Sequence, residues 1–486
     1  MSSLIKNELI KIFKKKSIYI TLIIVLAFMI FMNIMYKNTT TYYSYGGYTE
    51  SDIELMEAEL QSLDPNNPAD MSTYIEIQTQ IESARLQMKY EGEDWKLSVI
   101  GTQILPYINE KNTLKYGVEK NEEEVKRIEN TINGLLERLD QDDWRYFANI
   151  ELQEVTQNLE NLEKQKETTV DKQELKNLEN SIKSAKIDKE VKEYRINEDI
   201  KYGNDYLNQA LSEYGFQAKQ VLEYENSEKE LKYSEKQQYQ NSLEAKEISR
   251  YIIENKIDVY KTDSLKYVLE NFFNNFGIFI LVIVVMIAGT IVSEEFNKGT
   301  IKLLLVKPYS RNKILLSKLL TTFIMIAFVI AVVLIMEIIV GGITFGFDSI
   351  SEPTVVYNFN TQSIQEINIF AYVGIEILTQ LPMIILLGTL AFAISTIFTN
   401  SALAITISLL GYMSTMFINQ LAIIYDIKIL KYFVTMNWDL TPYLFGGLGN
   451  MEGMSMPMSI IICIVYFILI AIPTFWVMKK RNIKNI

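Results

Sequence analysis

IVSEEFNKGTIKLLLVKPYSRNKILLSK, residues 291–318, decides how this chain folds. The stretch lies between two apolar runs that are each long enough to cross a bilayer. It nevertheless carries Glu294, Glu295, Lys298, Lys302, Lys307, Arg311, Lys313 and Lys318. An ionised side chain at the centre of a bilayer costs about 2.5–3.5 kcal/mol on insertion scales. The stretch is therefore an aqueous loop between two membrane spans, and its lysine and arginine excess assigns it to the cytoplasmic side.

Working outward, the apolar runs predict six spans, at about Ile18–Tyr36, Phe272–Val292, Leu319–Val340, Ile369–Ile397, Ala402–Ile424 and Ile460–Met478. Residues Met1–Lys16 read as a short amphipathic helix, with Leu4, Ile5, Leu9, Ile12 and Phe13 at helical spacing among five lysines. Such a helix lies on the inner leaflet with its lysines among anionic head groups, or simply flanks the first span. The first run lacks a small-residue cleavage site and is read as a retained span. Tyr19 and Tyr36 mark its two interfaces. Gly341–Gly346 is expected to end the third span, Thr399-Asn400-Ser401 to turn tightly between the fourth and fifth, and Thr441-Pro442 to open a short interfacial or re-entrant helix. With both termini inside, the three inner segments hold five, six and four basic residues, whereas the two smaller outer loops hold only Lys428 and Lys431. The expectation is an all-α membrane protein of six transmembrane helices in a bacterial plasma membrane.

Between the first two spans, residues 37–271 form a large hydrophilic insertion, predicted extracellular. It contains 48 acidic and 30 basic residues against 11 and 17 in the remainder, which resolves the net charge of −12 into an acidic soluble part and a basic membrane part. That split argues against nucleic acid as a partner. Tyr42–Tyr48 reads as a linker, Ser51 and Glu54 as a capping box, and Leu63–Pro68 as a helix break. Val125, Ile128, Ile132, Leu135 and Leu139 then step by three and four. Leu152, Val155, Leu159 and Leu162 repeat the pattern, as do Leu175, Leu178, Ile182 and Ala185. This is the seam of a coiled coil or helical hairpin, with bends expected at Asp140–Trp144 and Thr168–Val170 and a returning helix near Tyr206–Asn255. The domains are thus 1–36 (N-terminal helix and span one), 37–271 (helical, coiled-coil-like stalk) and 272–486 (spans two to six, with the charged loop at 293–318).

No histidine is present, which removes the common zinc sites and histidine acid–base catalysis. The single cysteine, Cys463, lies in an apolar run, so no disulfide braces the insertion. No phosphate-binding Gly-x-x-x-x-Gly-Lys-Ser/Thr loop occurs, so ATP is not bound by that mechanism. Within the spans, Glu337, Glu376 and Gln380 are the polar residues that stand out. The two acids either line an exit path for a cationic substrate or reach to the outer interface, the second being the simpler reading. Gln380 and Pro382 mark a kink or an interhelical hydrogen bond. Asn274 and Asn275 are weaker candidates, and Met413, Met416 and Phe417 read as packing residues.

The order of the charged loop, Glu294-Glu295, Gly299-Thr300, Leu304-Leu305, Pro308, Ser310-Arg311 and Lys318, resembles the first cytoplasmic loop of ABC-2 type transporter permeases. The six-span plan and the short turn between spans four and five resemble that family too. The large insertion is absent from its smallest members and present in larger ones, including permeases near antimicrobial-peptide resistance systems. The resemblance implies a permease subunit, not itself an enzyme, working as a dimer with a second permease copy. ATP and magnesium would be bound by a separate ABC ATPase subunit, and the cargo would be an amphipathic peptide or lipid-like molecule. It also makes the loop a coupling helix. Glu294 and Glu295 would pair with arginines of the ATPase, Gly299 would turn the backbone, and Thr300 would cap the helix that Pro308 stops. Ser310 would cap the third span, and Arg311, Lys313 and Lys318 would anchor to lipid phosphates or ATPase carboxylates. The other reading is a non-transporting, membrane-anchored coiled-coil scaffold, sensor or mechanotransmitter.

Overall fold

The computed structural model describes residues 1–39, 47–301 and 309–481. Two compact units emerge, Met1–Tyr42 with Lys261–Ile486, and Tyr43–Tyr260. The first contains the N-terminal helix Ser2–Phe13 and six helices long and apolar enough to cross a membrane. They are span one (Lys16–Thr39), two (Phe272–Thr290), three (Arg311–Phe345), four (Ile369–Phe398), five (Ser401–Ile424) and six (Met456–Lys480). This is a transmembrane helical protein.

Spans two and four form the centre of the bundle, and spans five and six are largely exposed. Phe272, Phe276, Ile280, Val284 and Ala288 of span two are buried at 2% or less. Small residues let the backbones approach, as expected where apolar surface gains little by leaving lipid. A Cβ on Gly388 of span four would lie 3.2 Å from Val284, and one on Gly289 would lie 3.1 Å from Ile405 of span five. Buried hydroxyls return their hydrogen bonds to the preceding turn, as Thr321 does to Ser317 O at 2.8 Å and Thr396 to Phe392 O at 2.8 Å.

Several expectations change in detail. Span three runs past Val340 to Phe345 and ends within the expected Gly341–Gly346 run, where Gly346 caps it at φ +86°. The glycine pair admits close neighbours, since a Cβ on Gly341 would meet Leu265 at 2.6 Å and one on Gly342 the Phe347 ring at 2.2 Å. The segment after it carries an antiparallel hairpin, β1 (Thr354–Asn358) with β2 (Ser363–Ile367), in which Val356 faces Gln365. Met413, Met416 and Phe417 are 62%, 80% and 75% exposed, so they cover no core within this chain. The turn at Thr399 adopts φ +52°, with Asn400 accepting from Leu403 N as the cap of span five. Pro442 opens a short 3-10 helix, Thr441–Gly446. Pro382 leaves span four continuous.

The second unit is helical throughout its described residues. The predicted seam Val125–Leu139 is buried at every one of its five positions, and Ile128, Ile132, Leu135 and Leu139 share a core with Trp95, Ile104, Ile108, Trp144 and Phe147. The bend falls at Asp142, with Asp143 capping the next helix through Tyr146 N. Helices Trp144–Thr168 and Lys172–Asn197 form an antiparallel hairpin whose thin core is Leu159, Ile182 and Ala185, and whose tip Val170 is 94% exposed. A second hairpin joins Tyr206–Glu225 to Tyr233–Asn255. Arg195 lies 4.1 Å from the centre of the Tyr202 ring and donates to Asn208 at 2.9 Å; burial lowers its pKa below the usual guanidinium value. The first helix of the unit is capped by Thr49 with Asp52, two positions before the expected box. The linker predicted at Tyr42–Tyr48 falls mostly outside the described residues.

Candidate functional site, a charged clamp at the end of span two

Span two breaks at Ile291-Val292 and resumes for one turn, Ser293–Asn297. A break leaves backbone groups without helical partners, and two of them find side chains. The Ser293 amide donates to Ser395 Oγ of span four at 3.1 Å, and the Ile291 carbonyl accepts from Lys318 Nζ at 2.9 Å. Lys318 therefore sits at the carbonyl end of a helix, where a cation is favoured.

The same ammonium bonds Glu8 Oε2 at 2.6 Å and approaches Glu295 Oε1 at 3.4 Å. Lys318 is 2% exposed, Glu8 5% and Glu295 6%. Lys11 completes the group, 2.5 Å from Glu295 Oε1 and 3.4 Å from Glu8 Oε1. Burial alone would lower the Lys11 pKa, but the two carboxylates more than offset that and hold it raised. Lys15 bonds Glu294 at 2.7 Å and Thr290 Oγ1 at 2.8 Å, while burial leaves its pKa lowered. Thr300 closes the set with a short hydrogen bond to Glu295 Oε2. Two acids matched by two cations make the inner group neutral, so it can be buried.

Glu294, Glu295 and Lys318 thus each meet partners in their own chain. Gly299 turns the backbone at φ +70° with open space around it. Thr300 points back to Glu295, and the helix expected after it is described only at Ile301. Ser310 caps span three through Lys313 N, as expected. Pro308, with Lys302 and Lys307, lies outside the described residues. Arg311 donates to Arg481 O at 2.6 Å, and Arg481 in turn donates to Thr396 O at 2.7 Å and to Ile397 O. The loop is fastened at one end to the N-terminal helix and span two, and at the other to the ends of spans four and six. Among the described cations of the loop, Lys298, whose side chain is 69% exposed and bonds Glu294 at 3.2 Å, and Lys313 face outward.

At the other end of the bundle the intramembrane acids are both buried. Glu337 is fully buried and accepts from Asn33 Nδ2 of span one at 2.9 Å. Glu376 is 7% exposed, with Asp439 as its charged neighbour. Gln380 donates to Asp439 Oδ1 and Thr441 Oγ1, each at 2.9 Å, so its bonds run to the segment between spans five and six rather than to another span. Asn275 accepts from Tyr36 at 3.0 Å.

Sequence reading missed Glu8, Lys11, Lys15, Asn33, Asp439 and Arg481 as members of these sites. One signal was present: Leu4, Glu8 and Ile12 are four apart and share a helix face, so Glu8 is an acid on an apolar stripe.

The fold and the clamp define a six-helix transmembrane protein whose charged loop is internally braced. The chain belongs to the protein family of unknown function DUF2705, whose model matches residues 239–484. It is 32% identical to the uncharacterized protein YhcI of Bacillus subtilis (strain 168) over 215 residues, covering 43% of this chain and 67% of that one. It is 28% identical to the uncharacterized membrane protein YdbK of the same organism over 208 residues, 43% of this chain and 79% of the relative. No solved structure matches.

Proposed function

We propose that this chain is the membrane permease subunit of an ATP-driven exporter whose ATPase is a separate polypeptide. The observation that carries the reading is the double fastening of the charged loop. A push on its outward lysines would move the N-terminal helix through Glu295, Lys318 and Glu8, and spans four and six through Arg311 and Arg481. That is the linkage required of a loop that passes mechanical work from a nucleotide engine to a bundle. The cargo in this reading is an amphipathic peptide or a lipid-like molecule. The exposed face of span five, with Leu410, Met413 and Phe417, would be covered by lipid or by a second permease copy.

Purification of the full chain with a P-loop ATPase encoded beside it tests the reading. A stable complex is expected, weakened about tenfold by Lys298→Glu with Lys313→Glu because rim charges set encounter, while the melting temperature of the permease stays put. Failure of any P-loop ATPase to accompany the chain from membranes would remove the proposal.

The proposed orientation places both termini and the loop inside and residues 37–271 outside. With the one native cysteine buried, Val170→Cys should react with a membrane-impermeant maleimide in intact cells and Lys298→Cys only after lysis. Labelling of the Lys298 variant in intact cells would invert the topology.

A further inference from the structure

Asn33 and Glu337 are a polar pair between spans one and three, and both are fully buried. One hydrogen bond joins them, from Asn33 Nδ2 to Glu337 Oε1 at 2.9 Å. The second polar atom of each side chain, Asn33 Oδ1 and Glu337 Oε2, has no partner. Both are acceptors while the carboxyl is ionised, so neither can satisfy the other. Adding one proton to Oε2 makes it a donor, and the amide then offers Oδ1 beside its Nδ2, as an acid and a primary amide do when they pair through two parallel bonds.

We propose that Glu337 is a proton-binding site of the bundle: it is held as the neutral acid, with Oε2–H donating to Asn33 Oδ1. The proton comes from water as the two spans close on each other. The Asn33 N–H serves the anion as well as the acid, but among the described residues no cation pairs with Glu337. Lys37 at the end of span one is turned to Thr344 O at 2.9 Å, and Lys266, on the helix Leu265–Glu270, neighbours Glu270. Tyr36 of span one is hydrogen-bonded to Asn275 of span two and stacked edge-on to Tyr267. Glu376 of span four is a second acid, which adds no positive charge. Gly341, one turn along span three, keeps the pocket closed, because its missing Cβ lets Leu265 seat above the carboxyl. Span one thereby gains a neutral, directional link to span three at the end opposite Lys318. This assignment is independent of whether the protein transports anything.

Infrared difference spectroscopy on the purified full chain in lipid nanodiscs tests it. At neutral pH, wild type minus Glu337→Gln should show the C=O stretch of a protonated carboxyl, and Glu376→Gln should leave that band in place. Asn33→Leu should shift the band to higher frequency, because the acid loses its acceptor, and this variant reads the site even if Glu337→Gln folds poorly. A difference spectrum carrying carboxylate bands alone would overturn the protonated state. A band unmoved by Asn33→Leu would overturn the pairing.

Discussion

Lys318→Met should cost about 3–5 kcal/mol of stability, the loss expected when one member of a buried ion group is removed and the others stay charged. Lys318 is the centre of the clamp, touching Glu8, Glu295 and the open end of span two, at 2% exposure. Without it two buried carboxylates share Lys11, whose own side chain is 47% exposed and lies 3.4 Å from Glu8. The measurement is thermal unfolding of the full chain in detergent, with yield from membranes alongside. Adding Glu8→Gln to Lys318→Met should recover much of the loss, because it removes the stranded charge. An unchanged melting temperature for the single variant would mean the clamp contributes nothing to the fold.

Phe147→Ala in the hydrophilic unit should be comparably severe, about 3–5 kcal/mol, since it empties a large ring from a closed core. Phe147 is fully buried with Trp95, Leu139, Trp144 and Ala148 around it. Limited proteolysis of the full chain reads this unit directly, and cleavage within residues 90–150 should accelerate steeply. Val170→Ala at the exposed hairpin tip should leave the digestion pattern alone. Equal protection in the Phe147 variant would show that the seam is not the core of this unit.

The six spans were legible because each is a long apolar run with charged or polar ends, a property of one segment at a time. The seam Val125–Leu139 was legible for the same reason, since a period of three and four needs no partner to be seen. The inner contacts were not. Glu294 and Glu295 were recognised as important from their place in the loop, but their partners lie on the N-terminal helix, and no local pattern names them. Glu337 and Glu376 were read as reaching the outer surface because isolated acids in hydrocarbon are costly. The structure instead gives Glu337 an asparagine on another span and sets Glu376 beside a folded loop containing Asp439. The hairpin at Thr354–Ile367 escaped notice because its strands have five residues each, too few for alternation to stand out.

The bond between Lys318 and Glu8 joins residues 310 positions apart. At roughly 5–20 residues per second of synthesis, the first helix is made and then left waiting for about a quarter of a minute to a minute before its counterpart leaves the ribosome. During that interval Glu8 has Lys11 of its own helix but neither Lys318 nor Glu295 beside it. Seating of the opening segment is therefore a late event in biogenesis, and a chain cut short before Lys318 keeps a loose leading end that a membrane protease can find.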